Sequence, residues 1–356
     1  MQAVVMMANI SIAGCAPAVS QAFAKRASFK VTVRAGLFQE NRLARFLELP
    51  ASTSSSAFSL LQQEGNRRLL EPIHGLISPD LPSKVSLLDF FYSLVSSNMF
   101  SSTEDKERQS VVDMDTELRS GIQGFKCWQV RTVAAQTRTM AQIQELMVKR
   151  AEQINNSGCG GALLLVSGGH PLREHWLTGK LTTTDSFSML RAAKLLQDSG
   201  LLPPGVQLWA VENPLTNSID RLEKKIEAGA EAVILQPPLL PNQFAEWWSN
   251  AQQKGFLRAV PVVVGLPLIS SSRNYEFWVH LTRASGKEAD AVMGQWRRAE
   301  AAHGNDPLAM AAYCEHKSMQ LIESIKSLPD VAGIHVMPVT TTGWQQFQAL
   351  VSKGAL

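Results

Sequence analysis

Residues 205–241, GVQLWAVENPLTNSIDRLEKKIEAGAEAVILQPPLLP, read as strand, loop, helix, turn and strand. VQLWAV is a short apolar run between Pro/Gly punctuation, the signature of a buried strand. Ser218 or Asp220 is placed to cap a helix through Arg221, Leu222, Lys225 and Ile226, and Gly229 supplies its stop. AVIL then forms a second strand, ended by Gln236 and the Pro237-Pro238 pair. A strand-helix-strand of this length is a right-handed unit with parallel strands, and a parallel sheet must be covered on both faces.

The same alternation extends in both directions. Apolar strand runs are expected at 68–73, 98–103, 126–133, 162–167, 206–211, 231–236, 261–265 and 333–337. Helical patterns separate them at 86–96, 112–122, 140–154, 186–197, 219–227 and 241–253, with several helices across 275–326 and a last one at 343–351. Eight strands, each followed by a helix, predict an α/β fold of the (β/α)8 TIM-barrel type. An open doubly wound sheet would carry a glycine fingerprint after its first strand, and no strand here is followed by one. The expected organisation is a leader at 1–35, an extension with a Ser-rich linker at 36–60, and a single barrel domain at 61–356.

The first 35 residues contain Lys25, Arg26, Lys30 and Arg34 but no acid; the first is Glu40. A basic, Ser-bearing, acid-free segment matches an organellar transit peptide, with a processing site near Val33-Arg34-Ala35. The expected location is the chloroplast stroma, with the mitochondrion as the alternative. Without those four cations the chain carries 30 basic against 31 acidic residues, so a general affinity for nucleic acid is not expected. Four widely spaced cysteines without a CxxC pair point to neither a disulfide framework nor a zinc site. No apolar run reaches the roughly 20 residues needed to span a bilayer. A homo-oligomer is compatible with this composition.

In a parallel barrel the side chains at the carboxyl ends of the strands face the ligand. That rule directs attention to Gln236, with Arg221 and Lys225 on the preceding helix. Glu71, directly before Pro72, ends the predicted first strand and is a candidate proton donor. ALLLVS runs into Gly168-Gly169-His170, where glycines would admit a cofactor close to the backbone, or simply make a tight turn. His170 and His175 lack the spacing of a metal pair, and no metal is expected.

From Glu71 to Phe347 the chain resembles methylenetetrahydrofolate reductase, a flavin-dependent (β/α)8 barrel. WAVENP, LEKKIEAGA and ILQPPLL stand where that family has Tyr-Pro-Glu-x-His, Leu-Lys-x-Lys-x-Asp-Ala-Gly-Ala and Ile-Thr-Gln-Phe-Phe-Phe. SGGHPL matches its Arg-Gly-Asp-Pro segment, VVVGLPLISS its Pro-Gly-Ile-Leu-Pro strand and loop, and GIHVMPVTT its closing strand. The resemblance implies FAD, reduced by NADH or NADPH, passing hydride to a folate one-carbon substrate. It assigns catalytic roles to Glu71 and Gln236. It assigns cofactor contacts to Thr103, Gly168, Gly169, His170, Trp209, Asn213, Arg221 and Lys225. Departures are visible too: His170 replaces an Asp, Asn213 replaces a His, and LLEPIHG stands for Phe-Glu-Phe-Phe-Pro-Pro. Two other readings remain: a flavoprotein acting on another substrate, and a barrel without catalysis that serves as a plastid binding or assembly protein.

Overall fold

Eight parallel strands close on themselves in chain order. The computed structural model describes residues 37–38, 43–49, 69–80, 127–135, 138–167 and 184–356. The strands are β1 (Ala44–Glu48), β2 (Gly75–Ser78), β3 (Trp128–Ala134), β4 (Gly161–Val166), β5 (Val206–Glu212), β6 (Ala232–Leu235), β7 (Val262–Pro267) and β8 (Gly333–Met337). Closure is made by β1 against β8, with Phe46 beside His335 and Leu47 beside Val336. The described helices are α1 (Met140–Asn156), α2 (Ser186–Asp198), α3 (Ile219–Glu227), α4 (Pro241–Gln253), a short α5 (Phe256–Ala259), α6 (Ser272–Thr282), α7 (Lys287–His303), α8 (Pro307–Lys326) and α9 (Thr341–Ser352). This is a (β/α)8 barrel. No helix among the described residues is long and apolar enough to cross a membrane.

The third to eighth strands fall where the apolar runs placed them; the first two do not. Residues 68–73 are not a strand. Leu69 to Pro72 form a turn closed by Ile73 N–H to the Leu70 carbonyl, and pairing with β1 begins at the His74 N–H. Pro72 has no N–H to give a ladder, which is why the run stops short and the strand starts after it. The first strand is ARFLE at Ala44–Glu48, inside the stretch assigned to an extension, so the barrel begins well before residue 61. Leu43–Leu356 forms one compact unit. The leader, the predicted strand at 98–103 and the predicted helices at 86–96 and 112–122 lie outside the described residues.

Period-two alternation sorts the barrel wall into two faces. Leu47, Leu76, Val133, Leu163, Leu165, Leu208, Val233, Val264, Ile334 and Val336 face outward and pack with Ile143, Met147 and Ala151 of α1 and Leu222 and Ile226 of α3. Fully burying each such side chain stabilises the fold by about 1.5–3 kcal/mol. The inward set includes Phe46, Trp128 and Trp209. Phe46 meets Trp209 edge-on at 5.1 Å, and Trp128 stacks on Trp209 at 6.4 Å. Room for that aromatic layer comes from Gly75, where an added Cβ would lie 2.7 Å from the Phe46 ring.

Helix starts follow their caps. Thr139 and Gln142 form a reciprocal capping box on α1, Asp185 caps α2, and Asp306 and Thr340 cap α8 and α9. α3 has Asp220 in its first turn and Lys224 and Lys225 in its last, complementing the helix dipole. Beyond β7 the three helices α6, α7 and α8 build a second core. Leu239, Ile269, Tyr275, Trp278, Trp296, Cys314 and Met337 pack together there.

Candidate functional site

Parallel closure brings all eight carboxyl ends to one rim, and the inward side chains nearest that rim define the mouth. β1 ends in Glu48, on the same face as Phe46 and two residues beyond it. β8 contributes His335, whose register neighbours are Phe46 on β1 and Gly265 on β7. Glu48 Oε2 and His335 Nε2 are 3.4 Å apart; the Glu48 side chain is 28% exposed and that of His335 7%. The imidazole nitrogen nonetheless has no hydrogen bond among the described residues, because the ring and carboxylate are misaligned for one.

Gln236 follows β6 on the inward parity of Ala232 and Ile234. Its backbone N–H donates to the Glu212 carbonyl at 2.9 Å, its side chain is half-buried, and no described residue hydrogen-bonds its amide. Gly265 holds the wall thin at this level, since a Cβ there would sit 2.8 Å from the Leu235 carbonyl oxygen and 2.9 Å from Met337 Cε. The mouth thus joins an aromatic floor to a carboxylate, an imidazole and a free amide. That combination suits a flat ligand with hydrogen-bonding edges.

A second polar group closes the rim between β2 and β3. Asp80 receives both terminal nitrogens of Arg138, at 2.9 and 3.1 Å, and the Ala134 N–H at 2.9 Å. This two-pronged pair ties the end of β2 to the approach of α1 and is buried on both sides. Arg131 donates to Ser78 and to Gln129 on the outward face. Among the described residues no three His, Cys, Asp or Glu side chains gather as they would around a metal ion.

Several residues singled out in the sequence take other positions. Glu71 is exposed in the turn ahead of β2, at the amino end of the barrel, so it cannot act in the mouth. Lys225 is not a cofactor contact: it donates to Glu212 Oε2 at 2.7 Å and to the Val211 carbonyl, between α3 and the outside of β5. Burial pushes its amine below the ordinary lysine range, with Glu212 opposing that shift. Arg221 shares the helix face of Lys225 as expected, but that face meets Phe187 of α2, with the guanidinium 5.1 Å and the amine 5.9 Å from the ring centre. Trp209 is fully buried in the aromatic layer and donates its indole N–H to Gln207.

Asn213 is likewise committed. Its amide donates to the Thr282 carbonyl at 2.7 Å and accepts from Leu215 N–H, fastening the loop after β5 to α6. Thr103, Gly168, Gly169 and His170 lie outside the described residues. Gln236 alone of the assigned residues described here reaches the mouth. Glu48 and His335 were not singled out. Their signals were the short run ARFLELP, with a carboxylate ahead of Pro50, and a lone imidazole inside the apolar strand GIHVM.

No family model matches the chain, and no curated protein matches it. Among solved structures it is similar to an uncharacterized protein from Clostridium thermocellum that binds two copies of 5-methyl-5,6,7,8-tetrahydrofolic acid. Identity is 13%, covering 95% of this chain and 98% of that one, with a TM-score of 0.50. What the two share is the barrel. Tryptophan synthase from M. tuberculosis in its aminoacrylate-bound form is similar at 12% identity, over 93% and 98% of the two chains, with a TM-score of 0.41. At these identities the likeness is one of fold, and a barrel hosts many activities.

Proposed function

We propose that this chain is a barrel of the methylenetetrahydrofolate reductase type that binds a reduced folate in its mouth. The observation that carries the reading is Glu48, a partly exposed carboxylate at the end of the first strand, above the layer of Phe46 and Trp209. A carboxylate is an acceptor-only group with room for two donors, which suits the amino and ring N–H edge of a pterin. Gln236, whose amide has no hydrogen bond among the described residues, would serve a second edge of the same ring. The tetrahydrofolate bound by the Clostridium thermocellum barrel supports the ligand class.

The resemblance also implies FAD; of the described residues assigned to it, Lys225, Asn213 and Trp209 do not fit that group, and the Arg221 guanidinium faces Phe187. Lys225 is spent on Glu212, Asn213 on Thr282 and Leu215, and Trp209 is inside the wall. A flavin pyrophosphate needs cations or backbone donors free to turn toward it. The proposed ligand is therefore the folate alone. The locked Lys225–Glu212 pair is also the observation that favours the plastid binding protein over the oxidoreductase.

Calorimetric titration of 5-methyltetrahydrofolate into the full chain tests this. Saturable binding is expected, weakened about ten- to hundredfold in Glu48→Gln, as losing a hydrogen bond to a charged group implies. Absence of binding to the wild-type chain would reject the reading. A parallel titration with FAD is expected to show no uptake; stoichiometric uptake with a flavin spectrum would restore the oxidoreductase.

A further inference from the structure

His335 is an outlier in its own strand. GIHVM is buried throughout and apolar apart from this imidazole, which is 6% exposed and points to the barrel centre. A residue in that position normally packs as a branched aliphatic, because a buried polar atom without a partner is costly. Its register neighbours offer it nothing: Phe46 has no polar side-chain atom and Gly265 has no side chain. Nε2 has no hydrogen-bond partner among the described residues, although Glu48 Oε2 stands 3.4 Å away. Among the described residues no side chain of the wall supplies that partner. The open direction is the mouth, where the Glu48 carboxylate is itself part-exposed.

We propose that His335 is a ligand-contacting residue, and that Glu48 and His335 together read one edge of a pterin ring. This rests on the folate reading and deepens it. The carboxylate accepts from a ring or amino N–H. The neighbouring imidazole nitrogen, which can donate or accept, meets the adjacent carbonyl or ring nitrogen. A donor next to an acceptor is what an aminopyrimidinone edge presents, and a single carboxylate alone would not distinguish it from an amine. The imidazole thus supplies selectivity for a fused heterocycle over a simple cation. A metal is a poor alternative occupant, since no third ligand stands with the pair among the described residues.

The test uses the full chain, with 5-methyltetrahydrofolate as titrant and p-aminobenzoylglutamate, which lacks the pterin, as a second probe. His335→Leu is expected to bind 5-methyltetrahydrofolate about tenfold or more weakly, with a melting temperature equal to or above wild type. His335→Gln, whose amide can both donate and accept, should recover part of the loss and also covers the case in which the leucine variant fails to fold. Affinity for the tail probe should not change. Wild-type affinity for 5-methyltetrahydrofolate in both variants overturns the proposal, as does an equal fall for both probes, which would mean a collapsed mouth. Failure of the wild-type chain to bind removes the folate reading and this inference with it; binding by wild type with unaltered variants removes the inference alone.

Discussion

Lys225 donates to Glu212 across 2.7 Å with both side chains all but sealed from solvent, so the ion pair is a brace between α3 and β5. Glu212 also accepts from the Asn213 N–H and the Asn217 amide, both at its other oxygen, Oε1. Removing one member of such a pair leaves an uncompensated buried charge. Lys225→Ala is expected to lose about 3–5 kcal/mol of stability in urea denaturation. The double substitution Lys225→Met with Glu212→Leu should return most of it, since an apolar pair of similar volume is often neutral. A Lys225→Ala protein of wild-type stability would contradict the brace.

Gln236→Leu separates ligand from structural roles. Its amide has no described protein partner, so removing it costs the fold little. The melting temperature should hold or rise, while affinity for 5-methyltetrahydrofolate falls about tenfold. A lowered melting temperature with unchanged affinity would take Gln236 out of the site.

Glu71→Ala should be silent. The side chain is exposed at the amino end of the barrel, and surface changes of this kind stay within about 0.5 kcal/mol. Ligand titration alongside Glu48→Gln makes the contrast: a binding defect in Glu71→Ala would place the mouth at the wrong end.

Alkaline pH should loosen the helical cap over β7. Burial pushes the Cys314 thiol up to about 11 and the Tyr275 phenol up to about 12. Each group keeps its proton in the folded state where the unfolded chain has lost it. The stability they contribute is full below about pH 9 and falls as pH rises through 11 and 12. Chemical denaturation at stepped pH should show the loss beginning near pH 9, and Cys314→Ala should remove the first part of that slope. A flat profile to pH 11 would contradict it.

The transit-peptide reading of the acid-free first 35 residues predicts, for protein recovered from plastids, an N-terminus near Ala35 or Gly36 by native mass spectrometry. An intact Met1 in that compartment would reject the transit peptide. Trimming to residue 60 would remove β1 and with it Glu48, so a functional processed form must retain Ala44–Glu48.

Six of eight strands were legible because each is a run of mostly buried residues between turn signals, the easiest pattern to read in a parallel barrel. β1 and β2 were not, for different reasons. β2 is four residues long and follows Leu69-Leu70, which looks more strand-like but packs in a turn. β1 carries Arg45 and Glu48 in five residues, which reads as surface, although Arg45 lies beside Ile334 and Glu48 turns toward the mouth.

The two missed strands also displace the site: Glu71-Pro72 lies in a turn at the amino end of the barrel, whereas the carboxylate at the carboxyl end is Glu48, one strand earlier. Gln236 was legible because a polar residue ending an apolar strand has few structural uses. Lys225 was not, since helix spacing places a cation on a face without saying whether an acid such as Glu212 waits behind it. His335 needed the closure of β8 onto β1, which no local pattern contains.

Trp128 and Trp209 lie 6.4 Å apart with their rings 23° from parallel, one from β3 and one from β5, bridged only by the barrel they share. Two indoles so close couple their electronic transitions, and that coupling is expected to be lost when the third and fifth strands part. Folding of this barrel can be followed with no label and no ligand.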